Sequence, residues 1–158
     1  MVVNGPPLAD APMRALVFAL EFRGSGRAVP GKEGAREART TAPVDRLVAF
    51  AGADWLRPHV AAEPAVLEAR VQRSPDGTFV EEGTITYGTA GMITFETVGR
   101  GWVEPGPEST ATVGTVMWRV VDGKGAFAGA TGLITSNFTV SGAGDVVDNH
   151  MVRMFVRP

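Results

Sequence analysis

Residues 111–156 read ATVGTVMWRVVDGKGAFAGATGLITSNFTVSGAGDVVDNHMVRMFV, and the punctuation of this stretch decides the fold. Three strand-like runs, 111–121, 132–140 and 146–156, are separated by Asp122-Gly123-Lys124-Gly125 and by Ser141-Gly142-Ala143-Gly144. Gly-rich and Asp-Gly turns between β-branched, alternating runs signal hairpins. A helix competes poorly here, because Thr, Val and Ile lose χ1 freedom in it and glycine loses backbone entropy.

Working outward, the same rhythm recurs at 46–51, 65–73, 79–87 and 92–102. Pro75-Asp76-Gly77, Gly88 to Gly91 and Glu104-Pro105-Gly106-Pro107 supply the breaks. A first strand covers 14–22, with Leu16, Phe18 and Leu20 on one face and Val17 and Ala19 on the other. These runs make about eight strands, the number at which side chains or one small ligand fill a closed barrel. An open sheet would leave two long edges to aggregate. The expected fold is therefore all-β, a single closed antiparallel barrel over 13–158, with a two-sheet sandwich as the alternative. Residues 1–12 read as a flexible arm. Segment 24–44 is polar and rich in Gly and Pro, and reads as a lid or loop over the barrel mouth.

Composition narrows the function classes. A net charge of -2 gives no electrostatic footprint for nucleic acid or an anionic membrane. The absence of cysteine excludes a disulfide framework, a thiolate metal site and cysteine catalysis. No run approaches the roughly 20 apolar residues of a membrane span, and ALVFAL at 15–20 is too short for a signal-peptide core. A cytoplasmic location is expected. Asn137-Phe138-Thr139 matches a glycosylation sequon and reads as a chance match. Lys32 and Lys124 are the only lysines. This skew towards arginine reads as coding bias and weakens any single arginine as a functional marker.

Residues 121–140 (VDGKGAFAGATGLITSNFTV) resemble a closing element of small bacterial calycin-type barrels, specifically the allene-oxide-cyclase-like and dirigent-like families. The likeness rests on Gly123, Gly125, Phe127, Gly129, Ala130 and Gly132, leading into Ser136 and Phe138. A weaker likeness to a bacterial barrel family of unknown function runs through Gly52-Ala53-Asp54-Trp55, Leu67-Glu68-Ala69-Arg70 and Asp76-Gly77. The resemblance implies an oligomeric barrel with an apolar interior. It transfers no active site.

Because side chains alternate along a strand, each strand offers two faces. On 146–156, His150 shares a face with Val152 and Met154 and is the first candidate for an acid-base group, although such a histidine is more often structural. Glu81 and Glu82 are adjacent, so one of them can face the interior, where desolvation raises a carboxyl pKa; Glu82 is taken as the catalytic candidate. Glu96 and Arg100 read most simply as solvent-facing. As an inward pair they would add an acid-base group and a ligand-binding cation. Trp55, Tyr87 and Trp118 are candidates to stack a planar ligand, against a simpler core role. Asn137, Asn149 and Arg153 lie on strands with no clean polar face, the mixed lining expected of a ligand pocket. His59, far from His150 in sequence, makes a weak metal case, and neither metal nor cofactor is expected.

The function expected is a barrel binding a hydrophobic small molecule in its interior. It is either a cofactor-independent cyclase or isomerase, a non-catalytic binder, or a packed structural module. Neither nucleic acid nor membrane is an expected partner. A homo-oligomer, dimer or trimer, is.

Overall fold

The computed structural model describes residues 12–108 and 110–158. Ten strands form among these residues: β1 (Arg14–Ala28), β2 (Ala35–Ala42), β3 (Leu47–Ala51), β4 (Ala65–Arg73), β5 (Thr78–Thr86), β6 (Gly91–Thr97), β7 (Gly101–Pro105), β8 (Thr112–Gly125), β9 (Thr131–Val140) and β10 (Asp145–Val156). The sheet runs β10-β9-β8-β6-β5-β4-β2-β1 and closes where β10 pairs with β1, from Arg14↔Val156 to Ser25↔Asp145. All pairings are antiparallel. β6 and β7 share one position between β5 and β8, so the barrel has eight staves. The sandwich alternative falls.

One element departs from the sequence expectation. Segment 24–44 is no lid: β1 continues to Ala28, and Ala35–Ala42 is a barrel stave paired with β1 and β4. Its apolar content is low because only Thr40 and Ala42 are buried. Its outer face carries charges matched across the ladder, such as Arg39 to Glu68 at 3.5 Å. The run at 46–51, expected as a stave, is instead the short β3 laid beside the first half of β1. The N-terminal arm reading falls on residues 1–11, outside the described residues.

Period-two alternation fills the interior. Leu16, Phe18, Leu20 and Phe22 point inward from β1, and Ile93 and Phe95 from β6. Val116, Trp118 and Val120 do so from β8, and Val152 and Met154 from β10. One end of this core is plugged. A short helix, α1 (Arg57–Ala62), starts with Pro58 in its first turn and stops at Glu63, which the following Pro64 holds extended. It buries Val60, with Leu56 just before it, over the barrel end. Phe127 lies beneath, its ring centroid 5.3 Å from Tyr87 and 6.0 Å from Trp55. Among the described residues no helix covers the other end. No helix among the described residues is long and apolar enough to cross a membrane.

Candidate functional site: a small cavity at the end away from the helix

On β5, Phe79 and Ile85 are buried, and the period of two forces Glu81 to the same inner face. Thr97, at the end of β6, fixes the Glu81 backbone: its hydroxyl accepts from the Glu81 amide and donates to its carbonyl, both at 2.8 Å. The Glu81 carboxyl is enclosed by protein. Its Oε1 accepts the Trp118 indole N–H at 2.9 Å. Burial raises its pKa, the nearby Asp148 raises it further, and the indole bond opposes both, leaving the group pushed up to about 8. Glu81 is therefore mostly protonated at neutral pH.

Asp148 faces Glu81 from β10. Ser136 Oγ–H donates to its Oδ1 at 2.6 Å, and the His150 ring donates through Nε2–H to its Oδ2 at 2.8 Å, the tautomer following from the carboxylate as acceptor. Register explains the grouping, since His150 lies opposite Ser136 and Asp148 opposite Phe138. The imidazole is wedged against Phe22 (centroids 4.5 Å) and the edge of Trp118 (4.9 Å). Among the described residues its Nδ1 has no hydrogen-bond partner.

Glu81, Trp118, Ser136 and Asp148 border a cavity of about 70 Å³. Thr40, Glu81, Trp118, Ser136 and Asp148 supply its polar wall, and Phe79 and Phe138, packed edge to face at 5.8 Å, much of its apolar one. Arg36 and Arg73 line it from positions near the ends of β2 and β4. Ligand pockets usually span about 300–1,000 Å³, so this one takes a group of a few heavy atoms without rearrangement. No three His, Asp or Glu side chains among the described residues converge as a metal site.

The residues expected from sequence scatter over three places. Trp118 lines the cavity. His150 faces inward but lies beyond Asp148 and does not line it; its contact with the site runs through the Asp148 carboxylate. Trp55 and Tyr87 belong to the plug at the opposite end, with Tyr87 wholly buried. The remainder face outward. Glu82 meets Arg70 at 3.2 Å, and Glu96 is 4.0 Å from Arg119. Arg100 donates to Thr78 Oγ1 and Ser74 Oγ, both at 2.7 Å. Asn149 donates to Glu21 at 3.1 Å, while Asn137 and Arg153 are exposed. The reason is one of phase: Phe79, Phe95, Ile134 and Val152 anchor the inner face, and every second neighbour is turned out. Of the Glu81–Glu82 pair, the inner group is Glu81; the buried Phe79 two residues earlier was the available signal. Asp148 was legible as a face-mate of His150. Ser136, Thr40, Arg36 and Arg73 carried no signal separable from ordinary strand residues.

No protein-family model matches this chain, and no curated protein matches it. Among solved structures, that of a pterocarpan synthase dirigent protein superposes with a TM-score of 0.59, covering 100% of this chain and 96% of that one at 14% identity. This chain thus shares the barrel fold of that dirigent protein. At 14% identity the likeness is one of fold.

Proposed function

We propose that the barrel takes the end of a small, largely apolar molecule into the cavity at its end away from the helix, and that Glu81 and Asp148 move a proton on it. The single observation that carries this reading is that two carboxyl groups border one cavity, Glu81 held by the Trp118 indole and Asp148 held by Ser136 and His150. Glu81, raised to about 8, is a proton donor near neutral pH. Asp148 is aimed by Ser136 and His150 and is the complementary acceptor. A donor and an acceptor on one bound molecule support isomerisation or cyclisation without a cofactor. The dirigent-like fold supports the choice of a small-molecule barrel. We also propose assembly as a dimer or trimer through the outer face of β8, β9 and β10.

The Trp118 indole N–H reports directly on Glu81, because it donates to that carboxyl. Its ¹H–¹⁵N NMR signal is expected to titrate with a midpoint of about 8, to lose that transition in Glu81→Gln, and to shift on addition of 1-hexanol as an apolar probe. A signal that is flat across the titration, or blind to hexanol, would overturn the reading.

A further inference from the structure

Arg36 and Arg73 stand together without a counter-charge. In the β2–β4 ladder Arg36 pairs with Val71, which places Arg73 at the diagonal position on the same inner face. Both are half-buried. Among the described residues neither makes an ion pair or a side-chain hydrogen bond. Burial, and then repulsion from Arg36, lower the pKa of Arg73, the direction expected of a cation held where it is poorly solvated.

The acids close by are otherwise engaged. Glu37 faces outward and meets Arg27 at 3.3 Å. Glu81 is committed to Trp118, and Asp148 accepts from both Ser136 and His150. Paired guanidinium groups present several N–H donors, an arrangement that matches a carboxylate. Behind them the cavity wall is apolar through Leu67, Val71 and Val146, until it reaches the polar floor. On that wall Thr40 Oγ1, four residues further along β2 than Arg36, is buried without a partner among the described residues.

We infer that the ligand is an amphipathic carboxylic acid, its carboxylate between Arg36 and Arg73 and its uncharged end, which carries the group that Glu81 and Asp148 act on, in the cavity towards Thr40. This rests on the cavity reading above and specifies the chemistry of what enters. The head group supplies the charge that the two arginines lack. The tail reaches the carboxyl pair with its uncharged end, so that no anion is driven against Asp148.

Hexanoate and 1-hexanol share a chain and differ in head group, and NMR titration of the Trp118 indole signal compares them directly. Hexanoate is expected to bind about tenfold or more tightly than hexanol, the scale of one charge-assisted hydrogen bond. Arg36→Gln and Arg73→Gln are each expected to remove most of that advantage, lowering hexanoate affinity far more than hexanol affinity. Arg73→Lys, which keeps the charge but not the fork, is expected to retain part of it. Both Gln variants relieve a like-charge contact, and their melting temperatures are expected to match or exceed the parent, so loss of fold cannot mimic loss of binding. Equal affinity for acid and alcohol, or arginine variants without effect, would overturn the acid head group while leaving the cavity reading intact. Displacement of hexanoate by inorganic phosphate at equal ionic strength would show that charge alone is read and would also overturn it. Failure of both probes to bind would remove the cavity reading itself.

Discussion

Glu81 shows how one residue's burial becomes a property of the whole protein. Its carboxyl has a pKa of about 8 in the fold against an ordinary value of 4.5. Between those values the folded protein holds a proton that the unfolded chain has released, so stability falls as pH rises. The contribution is fully present below about 4.5 and is lost as pH passes through about 8. The shift corresponds to at most about 5 kcal/mol. Urea midpoints measured across this window are therefore expected to decline for the parent protein. Glu81→Gln, whose amide oxygen still accepts from Trp118, is expected to show a flatter profile and to be the more stable of the two at the alkaline end. Parallel profiles would mean that the carboxyl is hydrated and of ordinary acidity.

At the scale of the element, the β8–β9 connection is where glycine is required. Gly129 has φ of 72° and Gly132 of 144°. A Cβ on Gly132 would stand 2.4 Å from the Arg153 carbonyl oxygen on β10, so the backbone itself must give way. A Cβ on Gly129 would meet only the Arg157 side chain, at 2.8 Å, and that chain can move. Gly129→Ala is expected to cost about 1–2 kcal/mol, the penalty of a left-handed conformation. Gly132→Ala is expected to cost more, and thermal melts should rank the two accordingly. Both lie at the plugged end, away from the cavity. Hexanol affinity per folded molecule should therefore be unchanged in both. The opposite ranking would show that the connection, rather than the strand crossing, sets the geometry.

At the scale of the whole molecule, the outer wall of β8, β9 and β10 carries more apolar surface than a barrel needs. Met117 and Met151 flank Thr135 in one row across the three strands. Leu133 lies in the next row between Arg119 and Arg153, and Phe155 beyond it pairs with Thr131. Met117, Leu133, Met151 and Phe155 are exposed, and large apolar side chains gathered on one outer wall point to an interaction surface. Sedimentation equilibrium at micromolar concentration is expected to give a mass above the 16.6 kDa of one chain. The double variant Leu133→Glu/Met151→Glu is expected to shift it back to that mass with the β spectrum retained. A clean monomer of the parent would refute assembly through this wall.

The alternation of apolar residues and the Gly-rich breaks determined seven of the eight staves, with β3 counted in place of β2, because these are local patterns with a period the chain itself carries. Phe127 and its glycines were legible for the same reason. β2 was not, since a stave whose outer face is a charge ladder looks like a loop until its partners are known. Candidate acids were legible as types, but which of two adjacent residues faces inward depends on the phase of the whole strand. Tertiary structure alone decided that Glu81 rather than Glu82 enters, that Asp148 stands between Ser136 and His150, and that Arg36 and Arg73 meet near one end of the barrel. Each is a contact between residues distant in sequence or on separate strands, and the register that brings such residues together exists only once the barrel has closed.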